Sequence, residues 1–144
     1  MVFKREPSIL VATHGALGEA LIQTASMILG NLENLQALSL VPGDDPEVYL
    51  SKMAHFVETN EGNAIVLVDV VGGTPYNAVM KLSRDHELCA VAGVNLPMLI
   101  EAIETRSNEK DQTRLSKTIS DMGKSGVQDM TPNLIRFFQS AKNS

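Results

Sequence analysis

Apolar positions along this 144-residue chain fall into two kinds of run. The first kind is short and unbroken, at residues 9–12, 64–68 and 88–92. Apolar runs of this length with no polar alternation suit strands buried on both faces, as in a parallel sheet. A fourth segment, Leu35–Leu40, alternates apolar and polar and predicts a strand nearer a sheet edge. The second kind repeats every three to four residues. Leu17, Ala20, Leu21, Ala25, Ile28 and Leu29 predict a helix that stops at Gly30 and Asn31. Tyr49, Leu50, Met53, Phe56 and Val57 predict another, with Asp45 as its cap and Pro46 at its first position. Pro75 opens a third helix through about residue 84, with Ala78, Val79 and Leu82 on its apolar side. Residues 97–105 predict a fourth, and Leu115, Ile119 and Met122 a fifth. Gly123 and Gly126 flank the turn before a short strand near residues 127–130, and an amphipathic segment at 134–138 finishes the chain.

Strands and helices alternate, which predicts a mostly parallel sheet with right-handed crossovers. The expectation is one doubly wound α/β domain over residues 1–144, with its core at about 8–130 and a helical tail at 131–144. In the flavodoxin-like order 2-1-3-4, strands one and three are neighbours. The ligand crevice then lies between their carboxyl ends. His14 follows strand one and Asp69 ends strand three, so residues 55 positions apart converge on one crevice.

Composition narrows the function classes. A net charge of −5 argues against nucleic acid or an anionic membrane as the main partner, since both need a basic face. A single cysteine, Cys89, rules out an internal disulfide and fits a reducing compartment. No apolar run reaches the roughly 18 residues of a membrane span, and the N-terminal residues lack the apolar core of a secretory signal. The expected location is the cytoplasm.

The chemistry at the crevice follows from residue types. A neutral imidazole attacks phosphorus through one ring nitrogen while the other keeps its proton, and a carboxylate accepting that N–H fixes the tautomer. Asp69 is placed to do this for His14. Gly72, Gly73 and Thr74, ahead of Pro75, supply a turn whose N–H groups point at an anion, backed by a helix N-terminus. The Thr74 hydroxyl is expected either to cap that helix or to donate to phosphate. Each motif alone is most often structural: a hydrogen-bonded histidine, a loop and helix start. Their convergence on one switch point is what favours a site. His55 and His86 have no assignable partner, Cys89 sits in a buried strand, Asp44 and Asp45 suit a turn and a cap, and Met98 is expected at the crevice mouth. A metal site at His14 and Asp69 lacks a third ligand.

Three segments carry a resemblance. They are Ala12-Thr13-His14-Gly15, then Val68-Asp69 with Gly72-Gly73-Thr74-Pro75-Tyr76-Asn77-Ala78, then Ala92-Gly93-Val94-Asn95-Leu96-Pro97-Met98. In that order, over about residues 8–127, the chain resembles the enzyme IIA component of the mannose family of the bacterial phosphoenolpyruvate:sugar phosphotransferase system. The resemblance implies a phosphotransferase in which His14 takes a phosphoryl group on Nε2 from phospho-HPr and passes it to a histidine of enzyme IIB. It maps the family's ring-orienting aspartate onto Asp69 and its phosphate-binding turn onto Gly72, Gly73 and Thr74. It implies no cofactor beyond the covalent phosphohistidine, no metal, and only indirect association with the membrane components IIC and IID. It also implies a homodimer that exchanges the short last strand, here residues 127–130. Some family members continue into a IIB domain; the end at Ser144 suggests a free-standing IIA with IIB on another polypeptide. Residues 2–6 and the tail after Thr131 depart from the pattern away from the site. The competing expectations are a regulatory IIA-like domain read out by its phosphorylation state, a metabolite-binding module whose histidine is never modified, and a metal-dependent hydrolase. Which sugar is served does not follow from this sequence.

Overall fold

The computed structural model describes residues 2–3 and 5–144. Four strands, β1 (Ser8–His14), β2 (Leu35–Leu40), β3 (Ala64–Val68) and β4 (Cys89–Ala92), form one parallel sheet in the order β2-β1-β3-β4. The helices are α1 (Leu17–Leu29), α2 (Pro46–Thr59), α3 (Thr74–Leu82), α4 (Leu96–Thr105), α5 (Gln112–Ser125) and α6 (Thr131–Asn143). Among the described residues no helix is long and apolar enough to cross a membrane.

The unbroken apolar runs follow from burial on both sheet faces. In β1, Ile9 and Val11 face a core shared with Leu99, Leu115 and Ile119, while Leu10 and Ala12 face a second core with Tyr49, Met53 and Val57. β3 divides in the same way, with Ile65 and Leu67 on one side and Ala64, Val66 and Val68 on the other. Each buried Val, Leu or Ile adds about 1.5–3 kcal/mol, so the central strands β1 and β3 are the fixed points of the molecule. Register pairs Ala12 with Val68 and His14 with Leu40, so β1 runs two residues beyond its last rung with β3. That overhang carries His14.

Several expectations shift in the structure. The buried line of α1 runs through Gly18, Ala25 and the partly buried Leu21 and Ile22, leaving Leu17, Ala20 and Ile28 exposed. The cause is Gly18, which seats the helix so close to β1 that a Cβ there would stand 2.9 Å from the Val11 carbonyl oxygen. Met98, expected at the crevice mouth, is buried in the core instead, its methyl occupying the space a Gly123 side chain would need. Met122 is correspondingly turned outward. The short strand expected near 127–130 is not formed within the chain: these residues join no sheet and are exposed. A strand exists only through its pairing, and no edge of the same chain meets this segment. Helix α6 fills the helical tail expected at 131–144, extending beyond the amphipathic segment at 134–138, and every one of its residues is exposed.

Two features tie the chain's start to its body. Phe3 is buried in the first core, donating its N–H to the Lys110 carbonyl at 2.8 Å, and Val2 bridges Asp111. Lys4, within the N-terminal extension, lies outside the described residues. Arg106, expected in a polar loop, is buried, and its guanidinium donates to the carbonyls of Pro7, Glu33 and Asn34 at 2.7–3.2 Å. Glu6 stands 3.5 Å from its Nε.

Candidate functional site

His14 is the last residue of β1, and the overhang past β3 places it at the carboxyl edge of the sheet. Beyond Val68 the β3 chain turns away at Asp69, and the Asp69 side chain takes over the next rung. Its Oδ2 accepts the His14 backbone N–H at 2.9 Å. The same oxygen lies 2.9 Å from His14 Nδ1, and Oδ1 accepts the Val70 N–H at 3.0 Å. One carboxylate therefore fixes both the backbone and the ring of the histidine.

The side chains differ in exposure, 12% for Asp69 and 49% for His14. Burial works to raise the Asp69 pKa, but the backbone and ring N–H groups of His14 and the charge of its ring outweigh it. The carboxyl is held below its ordinary value. An ionised Asp69 can only accept, so in the neutral imidazole the proton sits on Nδ1 and the Nε2 lone pair is left free. Nε2 is thus the ring nitrogen with a lone pair available.

The 69–74 turn faces the ring. Gly72 has φ +87°, a left-handed conformation that favours glycine. Gly73 is the N-cap of α3, and Pro75 follows in its first turn. Asn77 reaches back to donate to the Gly72 carbonyl at 3.3 Å and sets the turn. The amides of Gly72, Gly73 and Thr74 donate to no protein acceptor among the described residues. With the positive end of α3 behind them, they present unengaged donors beside His14, an arrangement that favours negative charge. Thr74 corrects one expectation: it is the first helical residue and its hydroxyl caps nothing, the cap position falling to Gly73.

On the other side of His14, Thr13 is fully buried and its hydroxyl accepts the Gly18 N–H at 2.9 Å. This bond fastens the start of α1, which has no other side-chain cap. Gly15 donates to the Leu40 carbonyl at 2.7 Å. A cavity of about 430 Å³ opens between these elements, lined by His14, Gly15, Leu40, Val41, Pro42 and Thr74. Val41 is exposed on its wall, and Val70 and Val71 are exposed in the turn that follows Asp69.

Of the residues singled out in the sequence, the structure brings together His14, Asp69, Gly72, Gly73 and Thr74, sets Asp44 on the wall of the same cavity, and leaves the others apart. His86 stands 3.9 Å from Glu58 on an exposed face. His55 is exposed on α2. Burial pushes the Cys89 thiol up to about 12, which makes it inert at neutral pH. Asp44 accepts the Val41 N–H and Asp45 the Glu47 N–H, a turn and a cap as expected. Among the described residues no three His, Cys, Asp or Glu side chains are grouped to hold a metal. Sequence reasoning missed Asn77 and the Thr13–Gly18 bond. An Asn three residues into a helix and a Thr beside the candidate histidine were the available signals.

Residues 8–119 match the model of the EIIA-man family, described as the PTS system fructose IIA component. The chain belongs to this family. It is 35% identical over 125 residues to the PTS system mannose-specific EIIAB component of Escherichia coli K12, covering 84% of this chain and 38% of that protein. It thus spans well under half the length of that relative. The PTS system fructose-specific EIIA component of Bacillus subtilis is 33% identical over 104 residues, covering 70% of this chain and 71% of its own. The mannose/sorbose-specific IIA subunit from Enterococcus faecalis superposes with a TM-score of 0.79 at 30% identity, covering 86% of this chain and 94% of that one. The flavodoxin-like order and its helical layers are therefore those of an EIIA component of the mannose family.

Proposed function

We propose that this EIIA chain is a cytoplasmic phosphocarrier that accepts a phosphoryl group from phospho-HPr on Nε2 of His14 and passes it to a histidine of enzyme IIB for sugar uptake. The observation that carries the reading is the Asp69 bond to Nδ1, which leaves Nε2 exposed beside three unengaged amides at the start of α3. The Nε2 lone pair attacks phosphorus in line. A new N–P bond forms as the donor's N–P bond breaks, and its electron pair returns to the donor imidazole. Asp69 keeps the proton on Nδ1 and offsets the charge that the phosphorylated ring gains. The amides of Gly72, Gly73 and Thr74 bind the phosphoryl oxygens, so positioning and electrostatics supply the catalysis. The second transfer reverses the roles. With protein histidines as donor and acceptor, the reaction calls for neither metal nor nucleotide.

The exposed apolar side chains of Val41, beside His14, and of Val70 and Val71, in the turn after Asp69, suit two partners that dock in turn and leave quickly. A homodimer belongs to the same proposal. Residues 127–130 and α6 are exposed throughout, with Leu134, Ile135, Phe137 and Phe138 uncovered, and a reciprocal exchange of this arm between two copies would cover them. The test is a relay with phosphoenolpyruvate, enzyme I, HPr and IIB, each omitted in turn. Label should reach the chain only through HPr and leave it only when IIB is added. Label that reaches IIB equally well without this chain would refute the carrier role.

A further inference from the structure

We infer that Gly73 is a positioning residue for His14: its bare α-carbon is the wall against which the imidazole rests. The two glycines of the turn are then required for different reasons. At Gly72 the backbone is left-handed and nothing lies within 4 Å of where a Cβ would be, so conformation decides. Gly73 has φ −78° and ψ 172°, an extended conformation open to any residue, so conformation cannot be its reason. Space is. A Cβ on Gly73 would stand 2.7 Å from His14 Cε1, 3.4 Å from His14 Nε2 and 3.2 Å from Val70 Cγ1.

The ring can yield only by leaving its place. Ordinary contact begins at 3.4 Å, so Cε1 is about 0.7 Å too close for any side chain at 73. The imidazole is tethered through Nδ1 at 2.9 Å to Asp69 and free only towards solvent. A movement of that size shifts the ring against its 2.9 Å tether, lengthening the bond to as much as about 3.6 Å where it is directed away from Asp69. Gly73 thus forms the second half of a clamp whose first half is Asp69. One fixes which nitrogen is protonated, the other fixes where the free nitrogen points relative to the α3 amides. This rests on the reading of His14 Nε2 as the phosphoryl acceptor, but the contact itself is present without phosphate.

The test uses Gly73→Ala and Gly73→Ser in the full chain. Serine is preferred over glycine at a helix N-cap, so Gly73→Ser should leave α3 at least as stable while still displacing the ring. Ring-nitrogen NMR shifts of His14 in the unphosphorylated protein should change from a single Nδ1–H tautomer to a mixture in both variants. Phosphorylation by phospho-HPr should slow roughly 10- to 100-fold. In a His14→Ala background, Gly73→Ala should no longer lower the melting temperature. Adding Val70→Ala to Gly73→Ala should not restore the tautomer. An unchanged tautomer in both variants, an equal loss of melting temperature with and without the histidine, or rescue by Val70→Ala would each overturn the inference. The tautomer and the stability cycle read Gly73 even where wild-type His14 takes no phosphate, so failure of the phosphocarrier reading is separately visible.

Discussion

Replacing Asp69 with alanine removes one acceptor group that serves three donors. The His14 backbone N–H, the His14 ring Nδ1 and the Val70 N–H lie at 2.9, 2.9 and 3.0 Å from its oxygens, and the side chain is 12% exposed. The ring nitrogen finds water easily because His14 is half exposed. The two backbone bonds also lie at an exposed edge, so the loss is that of hydrogen bonds to a charged acceptor, about 1.5–3 kcal/mol. Asp69→Ala should therefore destabilise the fold by a loss in that range, lowering Tm by roughly 3–10 °C. Its effect on transfer should be larger. Without the carboxylate the neutral ring populates both tautomers and swings, and losing an orienting acid–base partner slows catalysis by about 10²- to 10⁴-fold. The assay is single-turnover phosphorylation by phospho-HPr at a temperature well below both melting points, beside a thermal unfolding curve. Wild-type transfer rates in Asp69→Ala would refute the orienting role, whatever its stability.

The same carboxylate sets a pH dependence. Because folding lowers the Asp69 pKa, its contribution is fully present above the ordinary carboxylate range and is lost as pH falls through the lowered value. The acid arm of a stability profile should be shallower in Asp69→Asn than in wild type; equal slopes would remove Asp69 from the account. Gly18→Ala places a methyl against the Val11 carbonyl, so α1 must lift from β1, at a cost of about 1–3 kcal/mol in urea unfolding. A neutral result would show that α1 has room to spare. Arg106→Ala leaves the carbonyls of Pro7, Glu33 and Asn34 without their donor and should lose about 1–3 kcal/mol for each one left buried and unsatisfied. The protein that remains folded should phosphorylate at the wild-type rate, since this clamp lies at the opposite end of β1 from His14. A transfer defect at full folding would contradict that separation.

The parts of the fold that sequence made legible are those where burial is two-sided and periodicity unambiguous. Residues 9–12 and 64–68 have one reading because both faces of β1 and β3 are covered, and strand alternation with helices predicts a parallel sheet, whose order, taken as flavodoxin-like, is the one observed. The convergence of His14 and Asp69 followed from that order alone. Close approach was less legible. The bare faces of Gly18, Gly73 and Gly123 leave no periodic signal, yet they decide how α1 is rotated, where the His14 ring rests and why Met98 turns inward. Arg106 looked like loop polarity because its partners are backbone carbonyls distant in sequence, which carry no residue signature. Residues 127–130 form no strand within one chain because a single chain offers them nothing to pair with.

The most direct test of the account is the position of the phosphate itself. The chain would be phosphorylated with phospho-HPr and the linkage located by phosphorus–nitrogen NMR on ring-labelled histidine, beside His14→Ala as the blank. An acid-labile phosphate bonded to Nε2 of His14, and none on the His14→Ala variant, is the expected result. Phosphate on Nδ1, on His55 or His86, or undiminished in His14→Ala would contradict it, because the Asp69 bond to Nδ1 leaves only Nε2 of His14 free to react.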